Sequence, residues 1–183
     1  MIELLAALSA SAAAGMRIAL PLLLIGLLRV DLWSDVPLLS YFPPQVVVGV
    51  LVSWSLFELF ASKKLLGQRI LQVIQLLFSP IVGAIMGMAI AQATEMANWL
   101  LWMIAVTGGL LALVLQIVQA GWFYRLRGLP LWVILIQDIL CVFLVIFALD
   151  APKQGGLIAM LLLWLAIRSS TAWYNWYTEQ KQH

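Results

Sequence analysis

Six stretches of this chain are nearly free of charge, and each approaches the roughly 20 residues that a helix needs to cross hydrocarbon. They run from about 4 to 28, 45 to 62, 70 to 93, 98 to 122, 131 to 149 and 155 to 175. Short polar connections separate them. The connection from Asp31 to Pro44 holds Pro37, Pro43 and Pro44, which remove backbone donors and restrict their neighbours, so it reads as loop. The pattern predicts an all-α fold, a polytopic helical membrane protein of about six transmembrane helices. With every connection short, residues 1–183 form a single integral membrane domain. Pro80-Ile81-Val82-Gly83-Ala84 is faintly echoed by Pro152-Lys153-Gln154-Gly155-Gly156. That echo suggests an inverted repeat of three plus three helices, with halves 1–94 and 95–183.

Composition makes the class firm. The chain is 64% hydrophobic and 10% charged over 183 residues, with a mean hydropathy of +1.06. A soluble domain of this size could not hide so much apolar surface in one core. The net charge of +2 forms no basic stripe or arginine-rich arm, which argues against nucleic acid as a ligand. The start, Met1-Ile2-Glu3, lacks the basic region of a secretory signal, and an uncleaved first span is expected.

Loop charges predict orientation. Lys63, Lys64, Arg69, Arg125, Arg127 and Lys181 fall on one side of six alternating helices, against Asp31, Asp35, Glu95 and Asp150 with Arg29 and Lys153 on the other. The positive-inside rule then places both termini on the cytoplasmic side of the membrane. Trp33, Trp99 and Trp102 fall at the outer interface, and Trp122, Trp132, Trp173 and Trp176 at the inner one. Anchoring at headgroup depth explains these rings without a ligand.

Charges inside the spans are the sharper clue. Glu58 and Arg168 lie close enough to helix ends to snorkel toward water. Arg17 and Asp138 are too central for that, and an unpaired charge in hydrocarbon is costly. A bundle can join them as a structural ion pair between the first and fifth spans, or use them to line a wet site that binds or gates a solute. Around Arg17, Ser11 to Gly15 are small and Pro21 follows, so this span is expected to kink or break, as transporter helices do at midplane sites. Gln68, Gln72 and Gln75 share one face of the third span, a face expected to look away from lipid toward a cavity entrance. Pro80 is a second expected break, one that could make the third span re-entrant. Beyond it Gly83, Gly87 and Ala91 form a ridge of small residues, suited either to internal packing or to a homo-oligomer interface.

The run Glu58-Leu59-Phe60-Ala61-Ser62-Lys63, with Gln68, Gln72, Gln75, Pro80, Gly83 and Ala84, resembles the bacterial membrane proteins grouped as domain of unknown function 4126. Gly15-Met16-Arg17 before Pro21-Leu22-Leu23-Leu24 is similar to that family's small-residue stretch ending Gly-Leu-Arg. Asp138 and Pro152 resemble its later acidic residue and proline. The resemblance implies that Arg17, Glu58 and Lys63 belong to a shared polar site. It also marks departures, because Ser62, Gln68 and Gln72 stand where relatives carry acidic residues, and Leu65 stands at the turn proline. No activity is assigned to the family, so none is implied.

Several chemistries drop out. The single histidine, His183, is terminal and the single cysteine, Cys141, has no partner, so neither a metal site nor a cofactor is expected. Gly108-Gly109 lacks the lysine and serine of a phosphate loop, and no nucleophile–histidine–acid set exists, so no enzyme is expected. Two functions remain. One is a small-solute or ion transporter or channel with a polar midplane site, Arg17 favouring an anion. The other is a non-catalytic accessory, assembly or scaffold subunit of a larger membrane complex, partnered by lipids and other membrane proteins.

Overall fold

The computed structural model describes residues 2–28, 41–61, 65–94, 96–126 and 130–180. Seven helices lie among them: α1 (Ile2–Met16), α2 (Ala19–Leu28), α3 (Pro44–Ala61), α4 (Leu65–Ala93), α5 (Asn98–Leu126), α6 (Leu131–Asp150) and α7 (Pro152–Gln180). Four contain segments long and apolar enough to cross a membrane, Leu66–Ala93, Asn98–Arg125, Trp132–Asp150 and Pro152–Ala172. The helices α1, α2 and α3 are apolar but supply shorter segments. Four full-length spans thus stand where six were expected, and the first expected span is split in two.

The helix at the centre has the smallest side chains. α1 packs against α4, α5, α6 and α7, and its residues from Ser9 to Met16 are all buried. Alanine carries the highest helix propensity and leaves no bulk to keep neighbours away. Large side chains go outward instead: Leu66 is 72% exposed, Leu77 68% and Trp102 72%. Water would not tolerate a surface of that kind, whereas lipid is its natural solvent. The chain is a multi-pass helical membrane protein.

The small-residue ridge of α4 is used within the chain. Gly83 and Gly87 face α5 and α1, and a Cβ placed on Gly83 would approach the Gly108 carbonyl oxygen to 2.8 Å. Ser11 of α1 donates to the Gly83 carbonyl at 2.9 Å, and Ser9 donates to the Leu144 carbonyl of α6 at 2.7 Å. Ala91 is buried in the same core. This ridge therefore builds the interior, the internal-packing use of Gly83, Gly87 and Ala91.

Two proline expectations also change. α4 runs unbroken through Pro80, so the third span is neither interrupted nor re-entrant there. A Cβ on Gly109 of α5 would come within 2.7 Å of the Pro80 carbonyl oxygen, so the proline turn sits against a helix with no side chain in the way. The echo around Pro152 pairs unlike places, since Pro152 opens α7 while Pro80 lies inside α4.

Replacing Gly83 by valine is expected to cost about 1–3 kcal/mol through overpacking. Gly49→Ala makes the control, because nothing lies within 4 Å of a Cβ there. Thermal unfolding of the two purified variants in detergent measures the difference, with Gly83→Val lowered and Gly49→Ala unchanged.

Candidate functional site

The break in the first expected span falls at Arg17 and Ile18, between α1 and α2. Its cause is local. Pro21 has no N–H to give the Arg17 carbonyl, and its ring would press on that same oxygen in a continuous helix. The last described bond of α1 runs from the Arg17 amide to the Ala13 carbonyl at 3.1 Å. In a continuous helix the Met16 carbonyl would accept from Leu20. Here the Gln137 side chain of α6 donates to it at 3.0 Å.

The side chain at the break is the one with a full charge. Arg17 Nε donates to Asp138 Oδ1 of α6 at 2.6 Å, with the two side chains 8% and 19% exposed. The sequence expectation that these charges would find each other is met. This bond uses one of the five N–H donors of a guanidinium. Arg17 also lines two cavities, so its remaining donors lie where a solute or water could meet them.

One cavity, of about 40 Å³, is lined by Gln68, Gln72 and Gln75 of α4, Gln119 of α5 and Gln137 of α6. The shared glutamine face thus looks inward, as its spacing predicts. Gln137 donates to Gln119 Oε1 at 2.6 Å. Gln72 is buried, and its Oε1 has no hydrogen-bond partner among the described residues. The other cavity, of about 100 Å³, is lined by Arg17, Leu20, Ser55, Leu56, Glu58 and Asp138.

Glu58 corrects an expectation. It does not snorkel, because its side chain is only 3% exposed. Trp54 Nε1 and Gln75 Nε2 each donate to its Oε1 at 3.1 Å. Gln116 in turn donates to Gln75 Oε1 at 3.4 Å, so one hydrogen-bonded line runs from α3 through α4 to α5. The four-residue spacing of Trp54 and Glu58 folds the indole back over the carboxylate and spares it the cost of an unbonded buried charge. Arg168, by contrast, is exposed and lies over the Trp164 ring at 5.3 Å. Lys63 lies outside the described residues.

Gln116, Gln119 and Gln137 escaped the sequence analysis, as did Ser9 and Ser11. Gln116 and Gln119 stand three apart on one helix face, the spacing shared by Gln72 and Gln75, and that signal could have found them. Gln137 and the two serines are short polar interruptions of apolar runs, to which only the rule that polar groups in lipid must be satisfied could have pointed.

Among the described residues no group of three or more His, Cys, Asp or Glu side chains could hold a metal ion. Cys141 is buried and donates to the Ala13 carbonyl at 3.5 Å, which ties α6 to α1. The geometry offers one guanidinium, two carboxylates and a set of amides, a constellation that can bind and hold charge.

The model of the family described as Domain of unknown function (DUF4126) matches residues 4–172, and the chain belongs to that family. No curated protein and no solved structure matches the chain.

Removing one partner of the ion pair leaves the other charge buried. Arg17→Ala and Asp138→Ala are each expected to lose about 3–5 kcal/mol of stability, and the double variant less than their sum. Denaturation of the four proteins in one detergent gives the coupling energy. Strict additivity would mean that the pair holds nothing together.

Proposed function

We propose that this chain is a small-solute or ion transporter or channel, with a hydrated polar centre built around Arg17. The observation that carries this reading is the unpartnered Gln72 Oε1. A buried amide oxygen without a donor is costly, and in a polar cavity the cheapest donor is water. A cavity of about 40 Å³ has room for it, since roughly 10–15 Å³ by this measure holds one molecule. A broken helix beside the cavity supports the same reading. Irregular backbone at membrane depth is tolerated where protein or a water-lined cavity satisfies it, and transporters place their solute sites there.

The reading includes a topology. α1 and α2, about 22 and 15 Å long at 1.5 Å per residue, together make one interrupted crossing, and α3 makes another. Six crossings then leave both termini on the cytoplasmic side, where the basic loops belong. No catalysis is proposed, because the polar centre contains no nucleophile set against a base.

The accessory or scaffold reading would use a small-residue ridge as a docking face, and Gly83, Gly87 and Ala91 are buried within the chain, so this ridge lends it no support. Nor does Arg17 favour an anion as its isolated charge suggested. Asp138 already neutralises it, and Glu58 adds a further carboxylate.

Flux of H⁺, Na⁺, K⁺ and Cl⁻ into liposomes carrying wild type, Arg17→Ala, Asp138→Asn or Glu58→Gln tests the proposal. Loss of one charge-assisted contact is expected to lower flux by on the order of tenfold. Equal flux in all four proteins, at equal reconstitution, would end it in favour of the scaffold.

A further inference from the structure

The charge balance of the polar centre has one sign. Arg17, Asp138 and Glu58 line a single cavity of about 100 Å³, and they are one guanidinium against two carboxylates. Fully ionised, they carry a net charge of −1. Asp138 holds Arg17 through the 2.6 Å contact, while both described hydrogen bonds to Glu58 come from neutral donors, the Trp54 indole and the Gln75 amide. Neutral donors lower the cost of a buried carboxylate without cancelling its charge. A net charge far from water attracts one compensating positive charge.

We propose that the Glu58 carboxylate, with Asp138 and the Ser55 hydroxyl beside it, takes up one exchangeable small monocation. The inference rests on the hydrated centre proposed above and names the class of ion that centre handles. Three observations converge on it. The carboxylates and the hydroxyl share a cavity, which supplies hard oxygen ligands to a proton or an alkali ion. The unpartnered Gln72 oxygen lines the adjoining cavity, on the other side of Arg17. Gln75 joins the two, since it lines the glutamine cavity and donates to Glu58.

Glu58 is faced by few groups able to answer a change in its charge. Its own helix contributes Trp54, and α4 contributes Gln75. Arg17 comes from the helix break, and Asp138 and the Cys141 thiol from α6. Only Arg17 among these is cationic, and it is already engaged. If the ion is a proton, one O–H bond forms at the Glu58 carboxylate as one breaks in a hydronium donor, leaving water, with no redox partner required. If it is an alkali ion, carboxylate and hydroxyl oxygens replace part of its hydration shell.

Infrared difference spectra of the full chain in phosphatidylcholine vesicles separate the two sources. One arm steps pH at constant Na⁺, and the other exchanges Na⁺ or K⁺ for choline at constant pH. In the first arm a carboxyl C=O stretch should appear on acidification; in the second a carboxylate stretch should shift. Whichever arm responds, its band should vanish in Glu58→Gln. Wild type grown with ¹³C-labelled glutamate shows whether the band belongs to one of the four glutamates, and Glu58→Asp, which keeps a carboxyl at the site, should return it outside the labelled set and guards against a variant that fails to fold. Silence in both arms overturns the proposal, as does a band insensitive to both the label and Glu58→Gln. The readout is occupancy and not flux, so a protein that binds without transporting, or transports without binding, is told apart.

Discussion

A backbone interrupted inside lipid has to find hydrogen-bond partners, and that constraint organises the centre of this protein. Pro21 disfavours a continuous first helix, and here the helix breaks at Arg17 and Ile18, so carbonyls near residue 17 lose their helical partners where water is scarce. Gln137 answers one of them from α6, and its neighbour Asp138 answers the charge on Arg17 from the same helix. One turn of α6 thus repairs both the break and the charge beside it. The pairing also fixes register, because sliding α6 by one residue along α1 would misplace the amide and the carboxylate together.

Close approach is the second half of the same constraint. A two-residue repair works only if α6 lies near α1, and α1 allows this because Ser9 to Met16 carry little beyond a methyl group or a hydroxyl, Met16 excepted. Ser9 and Ser11 then hydrogen-bond to carbonyls of α6 and α4, contacts reachable only between closely packed backbones. Small residues in membranes are often treated as a dimer signature. Here four long helices gather around the one with the smallest side chains, and glycines of α4, α5 and α7 meet Ser11 or Ser9 of α1.

Much of this was legible in the sequence, for definable reasons. The long apolar runs fixed the four full spans, because length and hydropathy suffice in hydrocarbon. Arg17 and Asp138 announced each other, since a charge deep in a span has few alternatives to a partner. Gln68, Gln72 and Gln75 were placed inward by spacing alone. Pro80 misled because a proline is tolerated within a membrane helix when its neighbours adapt, and Gly109 of α5 leaves room for its turn. Glu58 misled because distance to a helix end was taken as access to water. Burial depends instead on what packs over the end, and Trp54 and Gln75 enclose it. Gln116 and Gln119 of α5 share the three-residue spacing of Gln72 and Gln75, whereas Gln137 of α6 stands without a second amide at helical spacing.

Family membership adds weight in a particular way. The resemblance read in the sequence sets Arg17, Glu58 and Asp138 on the family pattern and implies amides at positions 68 and 72 where that pattern has acids. An amide keeps the hydrogen-bonding capacity of a carboxylate and drops its charge. Two extra carboxylates beside Arg17 would take the centre from −1 to −3, a burden few membrane interiors could bear without bound cations. With glutamine at both positions, the cavity that Arg17, Glu58 and Asp138 line sets two carboxylates against one guanidinium, and the amides nearby keep their hydrogen-bonding capacity without adding charge.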